Sequence, residues 1–222
     1  MLYYAPEWRK LRDTYDGERA IKESAEYIKQ PSGMDDSLFA TYIENATYYN
    51  MTARTVGALV GTVFKRNPII ANLPKKFEEK LKSISIRGQT IRTFSKYACK
   101  EIIHMGRYGI LVDRDKDGDP YLTGYVTEAI LDWDTQMIEG RETLVRVVLM
   151  EVQVVNGKSE GTVTRQYAPK YRELVLEDGI YKQKIYKTFP DSTTYPSPTM
   201  QAPDEVIIPT NRGRVFNYYP VS

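Results

Sequence analysis

The period of the apolar residues changes at Gly109, and this change constrains the fold more than any other feature of the sequence. Before Gly109, apolar residues recur at steps of three and four, which is the spacing of amphipathic helices. After it they alternate with polar residues, as in strands with one buried face. Helices followed by strands predict an α+β fold with an N-terminal helical region and an antiparallel β-rich region. We expect the helical region over 1–107, the β region over 108–188, and a Pro-rich loop with a terminal strand over 189–222.

Five helices are predicted in the first region, over residues 6–16, 18–28, 38–66, 75–82 and 90–105. Pro6 begins the first and Gly17 ends it, because proline suits the first turn of a helix and glycine the position after its last turn. The third is expected to be one long helix, since its apolar residues form a single stripe. That stripe consists of Leu38, Tyr42, Ala46, Tyr49, Ala53, Val56, Val60 and Val63. The last helix is expected to bury Ile91, Phe94, Ala98, Ile102 and Met105.

The second region is predicted to hold strands over residues 110–113, 121–126, 144–155, 162–167, 172–176 and 181–186, with a last short strand over 206–209. Tight turns are expected at Lys116–Gly118, Asn156-Gly157 and Asp178-Gly179, because these residues tolerate the backbone angles of hairpins. Four prolines between residues 190 and 203 argue against a helix or strand there.

Composition excludes several classes of protein. The net charge of +2 does not mark a dedicated nucleic-acid binder, so any DNA contact has to come from a local cluster. Cys99 is the only cysteine, which excludes an intrachain disulfide and favours a reducing compartment. No signal peptide is expected, and the longest apolar run, Thr55–Phe64, is about half of what a membrane-spanning helix needs. We therefore expect a soluble protein.

Acidic residues suggest two hypotheses for a metal site. The run Asp113–Asp119 begins like a calcium loop, but the bidentate glutamate that such a loop needs at position 12 is replaced by Gly124, which favours a simple hairpin turn. Alternatively, four carboxylates could hold two ions for phosphoryl transfer: Asp113, Asp115, Asp132 and Asp134. The competing interpretation of the last two is that they flank a buried Trp133 at the start of a strand.

His104 is the only histidine, so a multi-histidine metal site within one chain is excluded. Any catalytic triad of serine or Cys99 would have to use it. A histidine beside Met105 on the apolar side of a helix is more typical of packing. We predict no catalytic residue, no metal site and no cofactor.

A basic row is the remaining candidate for a functional surface. Arg92, Lys96 and Lys100 follow one another at steps of four opposite the apolar stripe, and Arg107 lies just beyond. Such a row can contact a phosphate backbone without reading bases. A solvated face, or a face turned to a neighbouring subunit, explains it equally. Further cations precede the row, and Glu78 and Glu79 offset part of their charge: Lys75, Lys76, Lys80, Lys82 and Arg87.

Several segments together resemble a known family. They are Arg12–Lys22, Tyr48–Pro68, Gly106–Asp113, Glu128–Trp133 and Tyr171–Gly179. In this order they are similar to the N-terminal half of the portal, or portal-like, proteins of tailed bacteriophages. These motifs are structural rather than catalytic.

The resemblance implies a structural protein of the virion. Portal subunits form a ring of about twelve copies, in which one face of a subunit meets a different face of the next. The ring lies at a capsid vertex, conducts double-stranded DNA during packaging and ejection, and docks capsid protein, terminase and tail adaptor proteins. It has no cofactor and no membrane contact, and it is assembled in the host cytoplasm. Members continue past the segment near Pro209 into helices that line the channel. The alternatives are a head–tail adaptor or other virion structural protein and, further off, the metal-dependent enzyme.

Overall fold

A computed structural model describes residues 4–24, 26–115, 118–159, 162–187, 202–211 and 214–216, and within them six α-helices precede the strands. The protein has an α+β fold with helices first and antiparallel strands after them, as predicted. Its Cα atoms divide into two compact units. A helical unit contains the described residues up to Tyr108 together with Asp113–Thr127, and a sheet unit contains Gly109–Val112 and the described residues from Glu128 onward.

The helices are α1 (Ala5–Asp16), α2 (Glu18–Glu23), α3 (Asp36–Asn45), α4 (Met51–Val63), α5 (Lys75–Lys80) and α6 (Ile91–Met105). Among the described residues, none of the helices combines the length and the apolar character that crossing a bilayer requires.

The prediction of one long helix over 38–66 is wrong, because the structure breaks it into α3 and α4. Ala46 takes an extended backbone with ψ of 137°, and the side chain of Asn50 then caps α4 by accepting a hydrogen bond from the N–H of Ala53 at 2.8 Å. The linker is held by α1: the Tyr48 hydroxyl donates to the Thr14 carbonyl. A continuous apolar stripe does not reveal such a break, since linker residues can keep the same spacing.

Helix α6 has the boundaries that its end residues predict. The Thr90 side chain accepts a hydrogen bond from the Thr93 N–H at 3.2 Å, and Gly106 ends the helix in the left-handed conformation with φ of 81°. Phe94, Ala98 and Met105 are buried as expected, but Ile102 is half exposed. The buried face of α6 instead includes two polar side chains, Glu101 and His104.

Nine strands follow among the described residues: β1 (Tyr108–Arg114), β2 (Pro120–Val126), β3 (Ile130–Ile138), β4 (Arg141–Ser159), β5 (Thr162–Glu177), β6 (Ile180–Lys187), β7 (Glu205–Ile207), β8 (Thr210–Asn211) and β9 (Arg214–Val215). The largest sheet has the order β3-β4-β5-β6-β7 and is antiparallel throughout. Strands β1 and β2 form a two-stranded sheet, and so do β8 and β9. The two strands predicted over 162–167 and 172–176 are one strand, β5, and the strand β3 was not among those predicted.

Only one of the two strong turn signals in the large sheet is a turn. Asp178 and Gly179 connect β5 to β6 with φ of 53° and 72°. Asn156 and Gly157 lie within β4 and pair with β5, so the turn expected there is wrong. Residues 116–117 of the first expected turn, and residues 188–201, which hold most of the Pro-rich loop, lie outside the described part of the chain.

The core of the sheet unit lies where β4, β5 and β6 run side by side. Val147, Val148 and Leu149 are consecutive and all at most 8% exposed, so both faces of β4 are covered at that point. Val147 pairs with Leu174, which is 1% exposed. Apolar burial on both faces stabilises the centre of the sheet.

Candidate interaction surfaces

The two N-terminal members of the predicted basic row differ in exposure. Arg92 lies in the first turn of α6 and is exposed. Lys96, one turn further, is partly covered, and its ammonium lies 5.9 Å from the centroid of the Phe64 ring at the end of α4. The first half of α6 therefore presents cations beside the end of α4.

Lys100 and Arg107 are engaged within the helical unit. The Lys100 ammonium lies 3.3 Å from Glu101 Oε1 and 4.9 Å from the centroids of two tyrosine rings, Tyr15 and Tyr97. The Arg107 guanidinium donates to the Thr127 carbonyl at 3.1 Å and lies 4.8 Å from a ring centroid of Trp8. Cations held over aromatic rings in this way contribute to packing, so this half of the row is less available to an external anion.

A buried ion pair, which the sequence did not lead us to predict, lies beneath the row. Arg12 donates two hydrogen bonds to the Glu101 carboxylate, at 3.1 and 2.8 Å, and Glu101 is fully buried. Burial by itself would raise the pKa of Glu101, but the hydrogen bonds and charges of Arg12 and Lys100 outweigh it and lower that pKa below its usual value. The sequence signal that could have predicted this pair is a glutamate on the buried side of α6, because a charge there needs a partner.

His104 is packed inside the helical unit. Its Nε2–H donates to the Leu11 carbonyl at 2.7 Å, and its ring centroid lies 4.5 Å from that of Tyr15. The side chain is 7% exposed. Cys99, which a catalytic pair would require, is partly exposed on the same helix. The contacts of His104 are those of a residue that joins α6 to α1.

The acidic run adopts a turn stabilised by its own carboxylates. Asp115 accepts a hydrogen bond from the Asp119 N–H at 2.8 Å, and Asp119 pairs with Lys80 at 2.5 Å. A Cβ atom built on Gly124 would lie 1.7 Å from the Tyr108 hydroxyl oxygen, so the glutamate of a calcium loop has no room at that position. Within the described residues, no group of three or more metal-binding side chains is placed to hold an ion.

The other two aspartates of the metal hypothesis belong to the sheet unit, whereas Asp113 and Asp115 belong to the helical unit. Asp132 accepts a hydrogen bond from Arg146 at 2.8 Å. Trp133 is 49% exposed, so the expectation that Asp132 and Asp134 flank a buried tryptophan is wrong. The reason is that β3 is the edge strand of its sheet.

Arg146 connects Asp132 to a buried carboxylate. Its Nε donates to Glu173 at 2.5 Å, and the hydroxyl of Tyr186 donates to the other Glu173 oxygen at 2.9 Å. Glu173 is 7% exposed. Burial and the Glu173 charge raise the pKa of Tyr186 to about 12. This network braces β3, β4, β5 and β6 across the sheet.

Among the residues that the structure describes, strands β4 and β5 continue together beyond the rest of the sheet. The pairing of β3 ends at Leu149 and that of β6 at Lys170, while β4 and β5 pair with each other as far as Ser159 and Thr162. We call residues 152–159 and 162–169 the hairpin extension.

One face of the hairpin extension is apolar and exposed at the end nearer the rest of the sheet. Val154 pairs with Tyr167, so their side chains share a face, and Val152 lies two residues away on the same face. The three are 68% (Val152), 54% (Val154) and 68% (Tyr167) exposed. Clustered exposed apolar side chains of this kind mark protein–protein contacts more often than isolated ones do.

The helical unit also exposes apolar residues. On α3, Leu38 and Tyr42 lie one turn apart and are 58% and 54% exposed. On α4, Leu59 and Val63 also lie one turn apart and are 48% and 62% exposed. Of α4 only Val56 is buried. Each unit thus carries apolar surface suited to a partner.

No model of a known protein family matches the chain, and a comparison with curated proteins found no match.

Proposed function

We propose that the chain is a subunit of a bacteriophage portal ring at the capsid vertex. In this role it walls a passage for double-stranded DNA with its neighbours and docks terminase and the tail or adaptor proteins. The proposal rests on the family resemblance of the sequence, and it requires no catalytic residue or cofactor of the chain. The virion is the proposed location.

The observation that carries the proposal is the exposed apolar face of the hairpin extension. A cyclic ring needs two different surfaces on each subunit that fit each other. A two-stranded extension with Val152, Val154 and Tyr167 on one face is suited to reach a neighbouring copy, and tyrosine is enriched in the centres of interfaces. The apolar faces of α3 and α4 are candidates for the complementary surface.

The experiment is to determine the copy number of the purified full-length protein by mass photometry and to view it by negative-stain electron microscopy. We expect toroids of about twelve copies with a central hole, as cyclic heterologous contacts produce. A monodisperse monomer at micromolar concentration contradicts the proposal.

A head–tail adaptor or another virion structural protein is the alternative, since the same apolar faces suit any ring of the particle. Immunogold labelling of virions separates the two, because a portal lies within the capsid vertex and an adaptor lies on its tail side. A bound Mn²⁺ in a crystal soaked with the ion, held by Asp113, Asp115, Asp132 or Asp134, would instead support the metal-dependent enzyme.

A further inference from the structure

The positive charge of the chain is concentrated in one segment. Residues 51–108 hold twelve lysines and arginines against three acidic residues, although the whole chain has a net charge of only +2. One of the three acids, Glu101, is buried under Arg12 and Lys100 and does not reach solvent. The other two, Glu78 and Glu79, lie on α5. The exposed surface of this segment is therefore strongly cationic.

Contacts inside the helical unit bring the cationic parts of this segment together. Phe64, which precedes Lys65 and Arg66, lies under the ammonium of Lys96 on α6. The N–H of Ile91 donates to the Leu81 carbonyl at 2.8 Å. Lys82 follows Leu81 in sequence and Arg92 follows Ile91, so this bond holds the backbones of the two cations close together.

The loop before α6 adds one more cation. The N–H of Ile84 donates to the Gln89 carbonyl at 2.8 Å, which closes the loop that carries Arg87. Three separate segments thus place exposed cations around the first half of α6. We call this set the basic surface: Lys65, Arg66, Lys82, Arg87 and Arg92.

We infer that the basic surface binds the phosphate backbone of double-stranded DNA without reading its sequence. The inference rests on the proposed function and names the surface at which the subunit meets its DNA. It differs from the predicted basic row, because Lys100 and Arg107 are engaged with Glu101, Thr127 and aromatic rings, whereas the members of the basic surface are exposed.

Charge and chemistry favour a polyanion over other partners. Like charges gathered on one surface repel each other, and a regular row of phosphates relieves that repulsion and releases its own counterions. Among the described side chains, the ion pair that the segment forms with a partly exposed acid is that of Lys80 with Asp119, and Lys80 lies outside the basic surface. Lysine and arginine side chains of this kind position a protein on a duplex and do not select bases.

The test measures binding of the full chain to two unrelated 30-base-pair duplexes by fluorescence anisotropy between 50 and 200 mM NaCl. The variant carries Lys65→Gln, Arg66→Gln, Lys82→Gln and Arg92→Gln. Each lost phosphate contact lowers the slope of log affinity against log salt by about 0.9, so we expect the slope to fall by about 3 to 4 and both duplexes to be affected alike. Far-ultraviolet circular dichroism and the melting temperature verify that the variant is folded.

The matched control removes four exposed cations elsewhere, through Lys10→Gln, Arg19→Gln, Lys29→Gln and Lys187→Gln. It changes net charge equally and is expected to keep the wild-type slope. Equal slopes for the variant and the control overturn the inference. Competition by polyglutamate as strong as that by duplex DNA also overturns it, in favour of an acidic protein partner.

Negative-stain images of the same samples separate this inference from the proposed function. Rings that form normally while the variant binds DNA with the wild-type slope refute the basic surface and leave the portal proposal standing. Loss of DNA binding on neutralisation, in a protein that never forms rings, supports the basic surface and contradicts the portal proposal.

Discussion

At the scale of single residues, Glu101 is the side chain whose replacement is expected to lower the free energy of unfolding most. It is fully buried, and its charge is balanced by Arg12, at 2.8 Å, and by Lys100. A buried ion pair adds little over a well-packed apolar pair, but breaking it leaves an uncompensated charge away from water. The pair therefore fixes α1 against α6 rather than adding stability in proportion to its charges.

Replacing Glu101→Gln is expected to lower the free energy of unfolding by about 3 kcal/mol, because Arg12 keeps its charge and loses its counter-ion. Since the folded pKa of Glu101 is lowered below its ordinary value of 4.5, its contribution is present above that pH and is lost as the pH falls through the folded pKa. Urea titrations of the variant between pH 3 and 7 should show a flatter acid limb than those of the wild type. Glu44→Gln, at an exposed site, is the control and should change neither quantity.

A second residue-scale prediction concerns Gly124. Its missing side chain leaves room for the Tyr108 ring, whose edges meet Phe94 and Tyr97 at centroid distances of 6.3 and 5.9 Å. Gly124→Ala is expected to destabilise the protein by about 2 kcal/mol, since the packed ring cannot move away. In a Tyr108→Leu background the same change should cost less, and the double-mutant cycle measures the coupling. Equal costs in the two backgrounds would refute the close contact.

At the scale of elements, Asn50 decides where one helix begins. Its Oδ1 accepts from the Ala53 N–H, and its Nδ2 donates to the Tyr15 carbonyl at 2.8 Å, so one side chain caps α4 and ties it to α1. The two bonds require an amide, because a carboxylate can only accept hydrogen bonds.

Asn50→Asp keeps the cap but places an oxygen against the Tyr15 carbonyl, and a loss of about 1 kcal/mol is expected; Asn50→Ala loses both bonds and about 2 kcal/mol. Asp35→Asn, at the cap of α3, exchanges one good capping residue for another and serves as the control. Thermal unfolding followed at 222 nm gives the ranking. Asn50→Asp as stable as the wild type would show that the bond to Tyr15 contributes nothing.

The hairpin turns of the large sheet provide an internal comparison. Glu139-Gly140 and Asp178-Gly179 both connect strands through two residues with positive φ. Asparagine and aspartate tolerate this conformation better than glutamate does. Glu139→Asn is therefore expected to stabilise the protein by about 0.5–1 kcal/mol, whereas Asp178→Asn should be near neutral. Urea unfolding midpoints decide between this outcome and equal effects at the two turns.

At the scale of the whole molecule, apolar surface remains on both units after folding. Val152, Val154 and Tyr167 on the hairpin extension are each more than half exposed. Side chains of this size release about 1.5–3 kcal/mol when they are fully buried, so a few of them can support an interface. The proposed assembly gives this surface a partner.

Val154→Ser with Tyr167→Ser is accordingly expected to raise the concentration at which copies associate by at least about tenfold, which corresponds to a loss of about 1.4 kcal/mol. Sedimentation velocity over a range of concentrations measures it. Tyr49→Ser, at a tyrosine that is 64% exposed and lies between α3 and α4 rather than on their apolar faces, is the control and should associate like the wild type. If the double variant associates like the wild type, the hairpin extension is not a contact between copies.

Local chemistry in the sequence determined the class of fold and many boundaries. The change of period at Gly109 separated helices from strands, Thr90 and Gly106 set the ends of α6, and Asp178-Gly179 made a turn, since caps and positive-φ residues act on neighbours within a few positions. The cations of the basic row were also visible in the sequence as residues at steps of four.

Only the tertiary structure decided which of these residues face each other. The break before Asn50, the pairing of Asn156 within β4, and the burial of Glu101 against Arg12 all depend on partners more than seven residues away in sequence. Periodicity assigns a side chain to a face of its own helix or strand. It carries no information on what covers that face, because burial is set by contacts between elements that are distant along the chain.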